Sequence, residues 1–165
     1  MIVVSDAGPL IHLSLVSSLG LLREIYGQVL IPELVYDEVV KKGEGMAGSA
    51  EVAEADWIEV TSHSPDSDLF RLLRTHLDSG EASAICLAVE RKAQWFLSDD
   101  RPARLAAEAL GFQVKGTVGI LAMAKQRGLI SAVSPLLRHL QDCGVWLAEE
   151  LVAKVLQDLG ESPGE

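Results

Sequence analysis

At 165 residues, 48% of them hydrophobic, the chain is the size of one domain with a full core. A formal net charge of −10 argues against a broad nucleic-acid-binding coat, and no apolar run approaches the length of a membrane span. The opening "MIVVSDAG" has neither a basic start nor a small-residue cleavage site, so no secretion signal is expected and a soluble, cytoplasmic protein is. Cys86 and Cys143 sit in the apolar stretches "AICLAV" and "QDCGVW", without the spacing of a zinc site or disulfide framework, and read as inert thiols.

In chain order, β-rich runs occur at Ile2 to Ser5, Gln28 to Ile31, Trp57 to Val60, Gln94 to Ser98 and Phe112 to Lys115. Helical segments separate them. "PELVYDEVVKK" has Pro32 at a favoured first-turn position and closes on two lysines that suit the helix dipole. "SGEASAICLAVERKA" takes Ser79 as cap, carries Glu81 in its first turn and ends in Arg91 and Lys92. "RPARLAAEALG" and "GILAMAKQRG" read as helices stopped by glycine, whereas "KKGEGMAGSAE" and "TSHSPDSD" read as surface loops. Two amphipathic helices follow in "PLLRHLQDCG" and "WLAEELVAKVLQDLG". The expected organisation is one domain over residues 1–160, with helices 134–159 as an appendage and a flexible tail at 161–165. The stripe of Leu147, Leu151, Val155 and Leu159 is expected to pack on its own domain, with pairing to a second subunit or partner segment as the alternative.

Strands alternating with helices imply an α/β fold with a mostly parallel sheet covered on both faces. Ligands of such sheets bind outside the carboxyl ends of the strands. That rule selects Asp6 after the first run and the adjacent Asp99 and Asp100 after the fourth, in "QWFLSDDR". Glu81 opens the helix leading into the fourth run, and Glu38 lies beside the apolar stripe of Leu34, Val35 and Val39, from which it can point back over the sheet edge. An all-oxygen set suits a hard cation such as Mg²⁺ or Mn²⁺, and the histidines His12, His63, His76 and His139 show no ligand spacing. Carboxylates crowded into one cleft raise one another's pKa unless a divalent ion neutralises them, and such an ion supports phosphodiester hydrolysis. Each acid alone is also an ordinary helix cap. Strand alternation lets one of Asp99 and Asp100 enter the cleft while the other caps the next helix, and spacing does not choose between them.

The pieces "VVSDAGPLIHL", "LIPELVYDEVV", "LDSGEASAICLAVE", "FLSDDRPARLAAEALG" and "VKGTVGILAMAKQRGLI", in that order over most of residues 1 to 130, make the chain resemble the PIN-domain family, and within it the proteins related to VapC toxins. The resemblance implies a three-layer α/β/α fold with a central, mostly parallel five-stranded sheet. It also implies a metal-dependent ribonuclease site. Position by position, Asp6, Glu38 and Glu81 match family acids, and the Ser/Thr-x-Asp pattern falls on Ser98 to Asp100. Asp100 thus becomes the favoured metal ligand and Asp99 the secondary one. Gly8 departs from the pattern, standing where relatives carry a hydroxyl residue that would tune the metal site. Arg101 and Arg104, one turn apart beside the cleft, are candidates to hold the RNA backbone, with Lys115, Lys125 and Arg127 as weaker ones.

The resulting expectation is an endoribonuclease using Mg²⁺ or Mn²⁺, the toxin of a type II toxin–antitoxin pair, partnered by a small antitoxin and by a second copy of itself. A non-catalytic partner-binding module with the same fold is the alternative. A phospho-accepting receiver-type domain fits less well, because its acidic pair belongs after the first strand and its acceptor aspartate after the third, where this chain has "EVTSHS".

Overall fold

The computed structural model describes residues 1–62 and 67–162. His63 and residues 64–66 of the "TSHSPDSD" stretch lie outside the described residues, as does the chain after Ser162. Five strands form one parallel sheet: β1 (Val3–Ser5), β2 (Val29–Pro32), β3 (Ile58–Thr61), β4 (Trp95–Leu97) and β5 (Gln113–Lys115), in the order β3-β2-β1-β4-β5. All five coincide with the apolar runs of the sequence. A parallel sheet buried on both faces selects continuous β-branched and aromatic stretches, which are legible without knowing the fold. Val3, Val4, Val29, Ile31, Phe96 and Leu97 are fully buried, while the edge strands β3 and β5 carry the exposed Glu59, Val60 and Gln113.

The helices are α1 (Ala7–Leu15), α2 (Leu21–Tyr26), α3 (Glu33–Tyr36), α4 (Ser49–Glu54), α5 (Asp68–Leu73), α6 (Ser79–Arg91), α7 (Arg101–Ala109), α8 (Thr117–Gln126), α9 (Ser134–Asp142) and α10 (Glu149–Asp158). Helix α6, buried at Gly80 and from Ala82 to Ala88, packs on β1 and β2 with α3, α5 and α7 around it. On the other face α8 packs with α1, α2 and α10, giving a three-layer α/β/α arrangement. One hydrophobic core runs through it, including Leu137 and Leu140 of α9 and Leu156 of α10.

Three local expectations are corrected. Pro32 ends β2 and caps α3, with extended backbone, instead of sitting in the first helical turn. The cap of α6 is Asp78, whose side chain accepts from the Glu81 backbone N–H at 2.8 Å; Ser79 is the first helical residue. Glu161, expected to begin a loose tail, accepts from the backbone N–H groups of Val133 and Ser134 at 2.9 to 3.0 Å and from Lys125 Nζ at 2.8 Å. It thereby caps α9 and ties the chain end to α8.

The strand order sets where chemistry can occur. The chain builds β1, β2 and β3 in one direction, crosses back, and adds β4 and β5 on the other side of β1. The reversal lies between β1 and β4, so a cleft opens at their carboxyl ends. Ser5 pairs with Leu97, which puts Asp6 opposite Ser98.

Candidate active site

Helices α1, α6 and α7 all begin at this cleft, and each is capped by an aspartate: Asp6, Asp78 and Asp100. A parallel α/β unit launches a helix from each strand end, and the unpaired N–H groups of its first turn call for an acceptor. The capping reading and the cleft reading of these acids are therefore compatible, since a carboxylate has two oxygens. Asp6 accepts from Gly8 N–H through Oδ1 at 3.3 Å and from the Ser98 hydroxyl through Oδ2 at 2.5 Å. Asp100 accepts from Ala103 N–H through Oδ2 at 3.0 Å, and its carboxyl lines the same cleft as that of Glu81.

The cleft has a volume of about 290 Å³ and is lined by Asp6, Glu38, Asp78, Glu81, Asp99 and Asp100, with His12 at its edge. Among the described residues no lysine or arginine lines it. All five acids expected from the sequence are thus brought together from four segments of the chain, and a sixth, Asp78, joins them. The spacing D-x-x-E of Asp78 and Glu81 is a helix-start signature that competes with Ser79 as the local cap and is the one sequence signal for Asp78.

Glu38 reaches the cleft by an irregularity. After α3 the backbone widens into a π-helical turn over Asp37–Lys41, a geometry often found where a helix must re-aim a functional side chain. The apolar face of this segment is Val35 and Val39, both buried, whereas Leu34 is 41% exposed and does not belong to the expected stripe. Gly80 leaves room for the glutamate, because a methyl group there would lie 3.0 Å from Glu38 Oε1.

Crowding has electrostatic consequences. Burial, with like charge from Asp99 and Asp100 adding to it, lifts Asp6 from 3.8 to about 8 despite the bond from Ser98. Glu81 is pushed up to about 9 by burial and by the carboxyls of Asp78 and Asp100, and Glu38 is raised by burial and by Asp78. Without a counter-cation this group holds protons that isolated carboxylates would release.

Asp99 behaves differently. Its Oδ1 accepts from Thr117 N–H at 2.6 Å, and its Oδ2 meets the Thr117 hydroxyl at 2.5 Å and His12 Nδ1 at 2.7 Å. Burial works to raise it, but the His12 and Thr117 hydrogen bonds hold it below the usual carboxylate range. The expected division, one aspartate in the cleft and the other capping the next helix, is therefore redrawn. Asp100 both faces the cleft and caps α7, while Asp99 stitches α1 to the start of α8 with both oxygens engaged. His12, which no ligand spacing marked, is its partner.

Ser98 is fully buried, and its hydroxyl bridges Asp6 Oδ2 and the Asp100 backbone N–H at 3.2 Å. Gly8, the departure from the family pattern, faces the same group: a methyl at this position would sit in van der Waals contact, 3.4 Å from Asp99 Cβ, 3.5 Å from Asp99 Oδ2 and 3.7 Å from Asp6 Oδ1. A hydroxyl side chain there would thus reach both carboxylates.

The expected phosphate-side cations divide. Arg101 is exposed at the start of α7, and Arg104 is half-buried on the wall of a neighbouring groove. Lys125 is committed to Glu161 and the Leu159 carbonyl, Arg127 to the Ile25 carbonyl, and Lys115 lies 5.3 Å above the Trp95 ring.

A PIN-domain family model matches residues 2–161. The chain belongs to the PIN-domain family. Its fold is of the nuclease type, and the acid cleft at the β1/β4 reversal lies where the strand order of this PIN domain directs a ligand. No curated protein and no solved structure matches the chain. No helix among the described residues is long and apolar enough to cross a membrane.

PIN domains generally use divalent metals, and the residues here fit one chemically. The donors are all carboxylate oxygens, the preference of hard cations, and no lysine or arginine among the described lining residues offsets their charge. Among the described residues no three His, Cys, Asp or Glu side chains already stand around one point at coordinating distance. Glu38 and Asp100 are exposed and Glu81 half-exposed, so they have the freedom to close in.

Proposed function

We propose that this PIN domain is a divalent-metal-dependent endoribonuclease, with Asp6, Glu38, Glu81 and Asp100 holding Mg²⁺ or Mn²⁺. The observation that supports it best is a cleft walled by six carboxylates with no lysine or arginine among its described lining residues. A bound divalent ion supplies Lewis-acid polarisation of a phosphoryl oxygen and a more acidic water. The chain's own residues prepare the place for it. Ser98 fixes the Asp6 carboxyl, Asp78 anchors the start of α6 so that Glu81 faces inward, and the π-helical turn brings Glu38 across from them. Asp99, with both oxygens occupied, serves on this reading to hold His12 and α8 and not as a ligand. Arg104 and Arg101 supply positive charge for the RNA backbone at the margin.

The finer reading is a cytoplasmic toxin of a type II toxin–antitoxin pair, acting as a homodimer and restrained by a small antitoxin. It rests on the likeness of the five motifs to VapC-related proteins. The test is cleavage of RNA by the purified protein with Mg²⁺ or Mn²⁺ and with chelator, beside growth of cells expressing it. Metal-dependent cleavage lost in Asp6→Asn and Asp100→Asn, with growth inhibition lost in parallel, is the expected result. No cleavage by the wild type under any metal would overturn the reading.

A further inference from the structure

Beside the acid cleft lies a second, larger groove of about 670 Å³, between α1, β5 and the start of α8 on one side and the segment from Leu140 to Val155 on the other. The two cavities share His12 and Asp99 as a common wall. Their chemistry is opposite. The groove floor is aliphatic, including Ile11, Val118 and Leu147, and its rim carries Trp146, which is 84% exposed. Arg104, beside Asp99, stands where the groove meets the cleft, whereas Lys115 of its lining lies over the Trp95 ring. Asp99 is its one acidic residue among those described, and both its oxygens are already bonded.

Arg104 is the informative side chain. It is half-buried, and among the described residues no ion pair or hydrogen bond of its guanidinium is present. Its Nη1 lies over Gly116, where a methyl group would come within 2.6 Å of it and 2.7 Å of Asp99 Oδ1. Gly116 has ordinary negative φ, so glycine is required there by this close approach and not by backbone conformation. A cation held over a glycine at the junction of the two cavities, in a chain of net charge −10, is complementary to a phosphate.

We propose that this groove is a nucleoside subsite. It would take the unpaired nucleotide next to the cleaved bond, with Arg104 on its phosphate and its base stacked against Trp146. This rests on the ribonuclease reading. The occupant follows from what lines the adjoining cavities: carboxylates in one, and Arg104, aliphatic side chains and an exposed aromatic ring in the other. A phosphate and a base answer the guanidinium and the ring together, whereas an apolar peptide would leave Arg104 unanswered. Stacking on an aromatic side chain accepts any base, so the subsite selects single-stranded over paired RNA more strongly than it selects sequence.

Steady-state cleavage of a single-stranded RNA oligonucleotide with Mn²⁺ tests it. Trp146→Ala should raise KM roughly tenfold, with kcat changing much less, and Trp146→Phe should restore most of the loss. An oligonucleotide with one abasic ribose next to the cleaved bond should cost the wild type the same factor and Trp146→Ala nothing further. Trp146 is exposed, so its loss spares the core. Cleavage by the wild type with KM unchanged in Trp146→Ala, or an abasic penalty equal in both proteins, overturns the subsite and leaves the nuclease reading standing. Absence of cleavage by the wild type overturns both.

Discussion

Asp6 is only 3% exposed, yet it carries an ionisable group among five other acids, and that conflict sets its pH behaviour. Burial raises its folded-state pKa from 3.8 to about 8, so between those values the folded protein binds a proton that the unfolded chain has released. The stabilisation from this proton is complete below about pH 4 and is lost as pH rises through about 8. Glu81, pushed up in the same direction by burial and by Asp78 and Asp100, adds to the trend. The metal-free protein should therefore lose melting temperature from weakly acidic to weakly basic pH. Asp6→Asn should flatten that slope, as thermal unfolding in chelator across the range will show. Ser98→Ala removes the hydroxyl that donates to the Asp6 carboxyl and accepts from Asp100 N–H, and should cost about 1–3 kcal/mol in urea unfolding.

At the scale of elements, one carboxylate ties the C-terminal segment to two other helices, beside the packing of Leu156 into the core. Glu161 bonds two backbone N–H groups at the start of α9 and Lys125 of α8, bridging stretches that share no strand. Burial acts to raise it, but Lys125 and the N–H groups of Ser134 and Val133 hold its pKa below 4.5. Its stabilisation is therefore present above about pH 4.5 and lost as pH falls below, opposite in sign to that of Asp6. Glu161→Ala should cost about 1–3 kcal/mol at neutral pH, measured by denaturant unfolding, with the deficit shrinking in acid. Limited proteolysis should find the 144–162 segment cut faster in the variant. Gly116→Ala belongs to this scale too: by displacing Arg104 and Asp99 it should weaken RNA cleavage while leaving the melting temperature within a few degrees of wild type.

What the sequence made legible, and what it hid, divides along the same lines. The five strands were readable because a sheet buried on both faces writes itself as apolar runs, and the rule of carboxyl-end binding then pointed to Asp6, Glu81, Asp99 and Asp100. Asp78 escaped because the hydroxyl of Ser79 is an equally good local cap, and only the cleft geometry shows which residue turns inward. The bond of His12 to Asp99 spans 87 positions, and that of Glu161 to Ser134 spans 27; neither leaves a periodic trace. The π-helical turn over Asp37–Lys41, which carries Glu38 to the cleft, was announced by no residue pattern.

For the whole molecule, the unfavourable proximity of six carboxylates must be relieved by protons or by a cation, and the nuclease account chooses the cation. Binding to the folded state alone raises stability by about 2.7 kcal/mol at a free ion concentration one hundred times Kd. Since carboxylates must release protons to bind, the shift produced by Mn²⁺ should grow with pH, opposing the metal-free trend. The most direct measurement is a calorimetric titration of Mn²⁺ into the folded wild-type protein and into Asp6→Asn and Asp100→Asn near neutral pH. The account predicts saturable uptake by the wild type that both substitutions abolish or weaken at least tenfold. No saturable uptake by the wild type, or uptake undiminished in both variants, would contradict it.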